Sequence, residues 1–292
     1  MKRSKIYPGY FILPALLLIA LLYLLPAFLG TAYSFTDWNR YSNELHFVGW
    51  KNYIKVFSGG EKYMGYIKNT IFFTVFSAIL KLGLGLALAI LFTSSRIRLR
   101  NLHRTIAFAP QVFSVLIIGI TFKAMLHPST GFINTLLRSC GLSFLAHDWL
   151  GSIDTAFGSI IAVDVWRGAG YAMVIFIAGI QNIPLIYYES ASIDGAGFWA
   201  KLLHITIPSL IPTLTVNLVL SITYGLRVFD IVYVLTNGGP GNATDVINTA
   251  TFMNFSKGNY AMGTTLSSIL ACATVIIALF IVRFMGKKEG NQ

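Results

Sequence analysis

Six apolar runs constrain this chain more than any other feature. They cover residues 10–35, 69–95, 105–122, 156–180, 209–235 and 261–282. A helix needs about 20 residues to cross the hydrocarbon core of a bilayer, and each run reaches or approaches that length. The expected fold is an all-α polytopic membrane protein with six transmembrane helices. Composition agrees: 55% of residues are hydrophobic and 11% charged, against about 25% charged in a soluble domain. So little polar surface cannot enclose a soluble fold. The first run exceeds the ~7–15 residues of a signal-peptide core, and no small-residue cleavage site follows it, so it is read as a span that stays. Pro14 and Pro26 near its ends are tolerable in a membrane helix.

The net charge is +11. The basic residues flank the apolar runs and form no basic face, which points to membrane surfaces and away from nucleic acid. With the N-terminus inside, the inner segments hold Lys2, Arg3 and Lys5, then Arg96, Arg98, Arg100 and Arg104, then Lys201, then Arg283, Lys287 and Lys288. Only Glu189, Asp194 and Glu289 oppose them. The longer outer loops carry acidic and basic residues in nearly equal measure. The positive-inside rule then places both termini, and the stretch Glu189–Pro208, in the cytoplasm. Cys140 and Cys272 form no disulfide or metal framework. His103, His127, His147 and His204 are scattered, and no metal site is expected. No Walker A, HExxH or CxxC pattern occurs, so nucleotide or metal chemistry is not expected of this chain.

Glu189–Pro208 reads ESASIDGAGFWAKLLHITIP. It is expected to form a short helix, a break at Gly195 and Gly197, a second short helix and a stop at Pro208. Glu189 is expected at the start of the first helix, where a carboxylate gains ~0.3–1 kcal/mol from the helix dipole. A folded polar loop between spans suits a docking partner, and the small Ala191, Ser192 and Ala196 let a partner surface come close.

The spacing Glu189-Ser190-Ala191, Gly195, Ile205-Thr206-Ile207-Pro208 resembles the EAA loop of bacterial ABC importer permeases, with Ser190 and Ile207 as small departures. Further stretches resemble the sugar-importing branch: residues 33–38 (YSFTDW), Phe47-Val48-Gly49 with Asn52-Tyr53, Asp194-Gly195-Ala196, and residues 235–240 (LTNGGP). The last resembles the first permease of maltose- and glycerol-phosphate-type pairs. The resemblance implies a type I importer permease in the bacterial inner membrane. Its implied partners are a second homologous permease, two cytoplasmic ATPases and an extracytoplasmic solute-binding protein. It implies a non-enzymatic chain that binds no cofactor, with ATP and Mg held by the ATPases. It also implies that Glu189, Ala191, Asp194, Gly195, Ala196 and Pro208 couple the loop (residues 185–208) to an ATPase. The chain divides into a first helix and outer loop (1–66), a five-helix core (67–283) and a cytoplasmic tail (284–292).

Ionisable groups within spans usually face a cavity or a partner. Asp164 precedes Pro184 by roughly 30 Å of helix, and Arg227 follows Ser209 by roughly 27 Å, so both sit toward the outer half. Asp164 with Arg167, and Arg227 with Asp230, are i,i+3 pairs that either neutralise each other or line the solute path, where carboxylates, Arg forks and aromatics suit polyhydroxyl ligands. By resemblance to maltose-type permeases, the path falls on Asp164, Arg167, Gly168, Tyr171, Ser221, Tyr224 and Gly225. The chemistry at Asp164, Arg167 and Gly225 departs from that pattern. Lys81, mid-span, is expected to pair with an acidic residue or backbone carbonyls. Asn69 and Asn217 read as interhelical hydrogen bonds, and Gly83, Gly85, Ala87 and Ala89 as a close-packing face. Trp38, Trp50, Tyr53 and Trp149 serve either an interfacial belt or the binding protein. Two alternatives stay open: a permease for glycerol phosphoesters or another anionic solute, and a stand-alone secondary transporter.

Overall fold

A computed structural model of the protein describes residues 9–42, 44–58, 61–94 and 97–289. In chain order the helices are α1 (Tyr10–Tyr33), α2 (Lys51–Ser58), α3 (Glu61–Thr93), α4 (Arg100–Val112), α5 (Val115–Met125), α6 (Phe132–Ser139), α7 (Ile153–Gln181), α8 (Leu185–Ile193), α9 (Phe198–Ser209), α10 (Ile211–Leu226), α11 (Asp230–Thr236), α12 (Ile247–Ser256) and α13 (Tyr260–Glu289). Among the described residues there is no strand, only an isolated bridge between Thr36 and Phe47. Helices α1, α3, α7 and α13 are each long and apolar enough to cross a membrane, and α4 with α5 and α9 with α10 are bent pairs at 96° and 66°. Four of the six apolar runs thus become single helices, the third becomes the bent pair α4 and α5, and the fifth is divided between α10 and α11. Of the residues that set the expected orientation, Lys2, Arg3, Lys5 and Arg96 lie outside the described residues, as do the side chains of Lys287, Lys288 and Glu289.

The breaks have local causes. The third run is not one helix with Pro110 in its first turns. Pro110 lies near the end of α4, Phe113 (ψ 146°) and Ser114 (ψ 136°) are extended, and Ser114 Oγ accepts the Leu116 N–H at 3.3 Å to cap α5. Nor does Pro208 stop its helix. A π turn over Leu202–Thr206, in which the Ile207 N–H reaches the Leu202 carbonyl, precedes it and carries the helix through. The stop comes at Leu210 (ψ 0°), two residues before Pro212. The same device recurs in α1, where a π turn over Ala20–Leu24 precedes Pro26. A wider turn ahead of a proline shifts the hydrogen-bond register so that the helix tolerates the ring and the missing N–H. The fifth run also ends early, at Leu226, and the carbonyl of Arg227 freed there accepts from Asn248 Nδ2 at 2.8 Å.

The chain divides into two units. In the first, residues 1–64 and 250–272, the buried Ser34 is the hub: its hydroxyl meets Tyr53 at 2.7 Å, and its carbonyl accepts from Asn52 Nδ2 and Thr265 Oγ1. Trp38 lies between Tyr33 and Tyr260, with ring centroids 4.6 and 4.7 Å away. Trp50 packs edge-on against Phe35. The His46 N–H donates to Asp37 Oδ1 at 2.8 Å and holds that carboxyl below the ordinary carboxylate range.

The second unit, residues 65–249 and 273–292, holds two apolar clusters. One gathers Phe73, Ile118, Ile160, Val163, Ile231 and Val232; the other gathers Leu82, Ala89, Met173, Phe176, Ile177 and Leu210. Helix α7 contributes to both, and its Asp164 and Arg167 belong to a polar layer. Close crossings fix α7 and α10 beside it. A Cβ at Gly170 would collide with the Ala107 carbonyl oxygen of α4, and one at Gly225 would lie 2.8 Å from the Thr74 backbone of α3. Gly85 faces Ala172 and Ala89 is buried, whereas Gly83 and Ala87 are exposed, so only part of the expected small-residue face packs. Asn69 Nδ2 donates to the carbonyls of Ala243 and Asp245, and Trp149 Nε1 donates to Asn134 Oδ1.

Candidate functional site

The polar layer is built from α3, α7 and α10. On α3, Thr70, Thr74, Ser77 and Lys81 are buried along one face. Lys81 Nζ lies 2.6 Å from Asp164 Oδ2 on α7, and Ser77 Oγ donates to the same oxygen at 2.6 Å. Asp164 is fully buried. The Lys81 counter-charge and the Ser77 hydrogen bond, both from another helix, offset the cost of burying this carboxylate. Of the two readings of the i,i+3 pairs, local neutralisation does not occur. Among the described residues Asp164 takes Lys81 and not Arg167, and Arg227 makes no ion pair with Asp230. The geometry favours the partner from another helix, because Lys81 arrives through the gap left by Gly168, where a Cβ would lie 2.6 Å from Lys81 Cε.

Tyr224 of α10 closes the layer. Lys81 Nζ sits 4.3 Å from its ring centroid, and Arg167 Nη1 donates to its hydroxyl at 3.3 Å. Beside these groups lies a cavity of about 270 Å³ lined by Lys81, Gln111, Arg167, Gly168, Tyr171, Ala172, Asn217, Leu220, Ser221 and Tyr224. Of the residues expected along a solute path, Arg167, Gly168, Tyr171, Ser221 and Tyr224 line it. Asp164 sits behind Lys81, Gly225 is buried against Thr74, and Arg227 is exposed beyond the end of α10. Sequence reasoning missed Gln111, whose only signal was a polar residue next to Pro110 inside an apolar run. It read Asn217 as an interhelical hydrogen bond. Asn217 Nδ2 does reach the Ala172 carbonyl at 3.3 Å, and the residue also lines the cavity. Gln111 Oε1 and Arg167 Nε are buried and make no hydrogen bond within the described chain. Such groups are costly unless something else meets them.

The second candidate element is the loop of α8 and α9. Helix α8 begins at Leu185, so Glu189 lies mid-helix and exposed, not at the positive end as expected. Asp194 caps α8, Gly195 turns at φ +75°, and two bonds close the motif: Ala196 N–H to the Ala191 carbonyl and Gly195 N–H to the Ser192 carbonyl. This is a Schellman motif, which needs a left-handed residue where Gly195 stands. Lys201 Nζ donates to Ser192 Oγ at 2.6 Å, and the Tyr188 hydroxyl meets Thr206 Oγ1 at 2.9 Å, so the two short helices are tied together. Ala191, Ala196 and Pro208 are half-buried. Between them the loop exposes Ile193 (88%) and Trp199 (70%).

The sequence profile of the family described as "binding-protein-dependent transport system inner membrane component" matches residues 81–287. A Bacillus subtilis (strain 168) protein described as probable ABC transporter permease protein YurN is 33% identical over 99% of both chains. The trehalose/maltose transport system permease protein MalF of Thermococcus litoralis is 34% identical over 97% of this chain and 96% of that one. A solved bacterial ABC transporter involved in the import of the acidic polysaccharide alginate aligns with a TM-score of 0.82 at 25% identity, covering 95% of this chain and 94% of its own. The fold and the site thus define an ABC importer permease. The chain belongs to the family of binding-protein-dependent transport system inner membrane components, and it is a multi-pass membrane permease.

Proposed function

We propose that this chain is one of two permease subunits of an ATP-driven importer for a sugar or oligosaccharide. It forms half of the translocation path and takes its drive from separate ATPases through the loop of α8 and α9. The observation that carries the reading is the cavity of Arg167, Gly168, Tyr171, Ser221 and Tyr224, where buried donors and acceptors are left for a solute. Aromatic faces beside hydrogen-bonding groups suit sugar rings. Relatives support the solute class: besides the trehalose/maltose permease, one is named a diacetylchitobiose uptake system permease, and a solved alginate transporter was captured with a pentasaccharide-bound periplasmic protein. The coupling residues are Glu189, Ala191, Asp194, Gly195, Ala196 and Pro208, with Ile193 and Trp199 as the knobs presented to the ATPase. Both termini and this loop lie in the cytoplasm, ATP and Mg stay on the ATPases, and a binding protein delivers the solute from outside. The test is purification of the tagged chain from its native membranes. A second permease and an ATPase are expected with it, and saccharide-loaded binding protein is expected to raise ATP hydrolysis several-fold. A chain that purifies alone, without stimulated hydrolysis, would contradict the proposal.

A further inference from the structure

The charges around the cavity do not balance. Lys81 and Arg167 both line it. Lys81 is neutralised by Asp164 at 2.6 Å, and that carboxylate also holds Ser77. Among the described residues no carboxylate forms an ion pair with Arg167. Among the described residues its hydrogen bond is to the neutral Tyr224 hydroxyl at 3.3 Å, its Cζ lies 6.0 Å from that ring's centroid, and Nε is buried without a hydrogen bond. A guanidinium held in an apolar span with an open fork is costly unless an anion meets it. Its planar donors fit a carboxylate or phosphate oxygen pair better than the scattered hydroxyls of a neutral sugar. Gln111, Ser221 and Asn217 share the same cavity and offer hydroxyl-binding groups beside that charge.

We infer that the solute is a saccharide carrying an anionic substituent, and that Arg167 is the residue that selects for it. This rests on the sugar-importer reading. Tyr224 positions the guanidinium through its hydroxyl, and the Lys81–Asp164 pair keeps a second cation from competing for the anion. The anion is either a uronate carboxylate or a phosphate ester, and both present the same oxygen pair to the fork.

The test uses the complete importer in proteoliposomes, with its own binding protein outside. Uptake is compared for neutral di- and trisaccharides, their uronate counterparts and sugar phosphates. The wild-type complex is expected to favour one anionic class over its neutral counterpart, and the class it takes separates uronate from phosphate ester. Arg167→Gln is expected to lower the anionic-to-neutral uptake ratio roughly tenfold or more. Arg167→Lys, which keeps the charge but not the fork, is expected to retain part of it. Because the binding protein is the same in every sample, a change in the ratio belongs to this chain. Equal or better uptake of the neutral sugars by the wild type overturns the inference and leaves the sugar reading intact. So does an unchanged ratio in Arg167→Gln. Uptake of nothing in the panel overturns the sugar reading itself, and this inference with it.

Discussion

At the scale of single residues, Lys81 and Asp164 decide how the second unit holds together. Each is buried in a span, and each has the other as its counter-charge. Removing one partner of such a pair leaves a buried charge, at a cost of about 3–5 kcal/mol, whereas replacing both with apolar groups is often neutral. Asp164→Ala is therefore expected to act on stability before it acts on solute affinity. In thermal melts of detergent-purified protein, Asp164→Ala and Lys81→Met should each lower the transition markedly. The double variant Lys81→Met/Asp164→Leu should fall by much less than the two shifts added. Additive losses would mean that the pair is not coupled. The sequence made both residues visible as charges within apolar runs and suggested an acidic partner for Lys81, yet it left Asp164 either paired with Arg167 or lining the solute path. Spacing along one helix reports which groups share a face. It cannot report that a glycine on that face, Gly168, lets a lysine enter from another helix.

At the scale of elements, the loop of α8 and α9 turns on one backbone conformation. Gly195 sits at φ +75° with nothing within 4 Å of where a Cβ would be. A side chain there has room, so a substitution is penalised through the backbone, by roughly 1–2 kcal/mol for a left-handed residue that is neither Gly nor Asn. Gly195→Val is expected to cut ATP-driven uptake several-fold while the chain still inserts. Gly195→Asn, which tolerates this conformation, is expected to keep most of it. If Asn is as damaging as Val in the same uptake assay, the position matters for contact with a partner and not for its turn. The glycine break was legible because only such residues take this turn freely. The helix ends were less so. Glu189 falls mid-helix because α8 starts at Leu185, behind Pro184, and Pro208 passes inside a helix because a π turn precedes it. Proline marks where a normal turn fails, and the sequence does not say whether the chain stops or widens.

At the scale of the whole molecule, the apolar runs set the architecture, since hydrophobic length translates directly into membrane-crossing helix. They do not reveal that the third and fifth runs are broken, because hydropathy is blind to two extended residues such as Phe113 and Ser114. Among the described residues, helix α1 buries none of its apolar window. The most direct test is uptake of a labelled saccharide into proteoliposomes holding the complete complex, with ATP inside and binding protein outside. Accumulation is expected, and it should stop when either ATP or the binding protein is left out. Accumulation by this chain alone, without ATP, would contradict it and make the protein a stand-alone transporter.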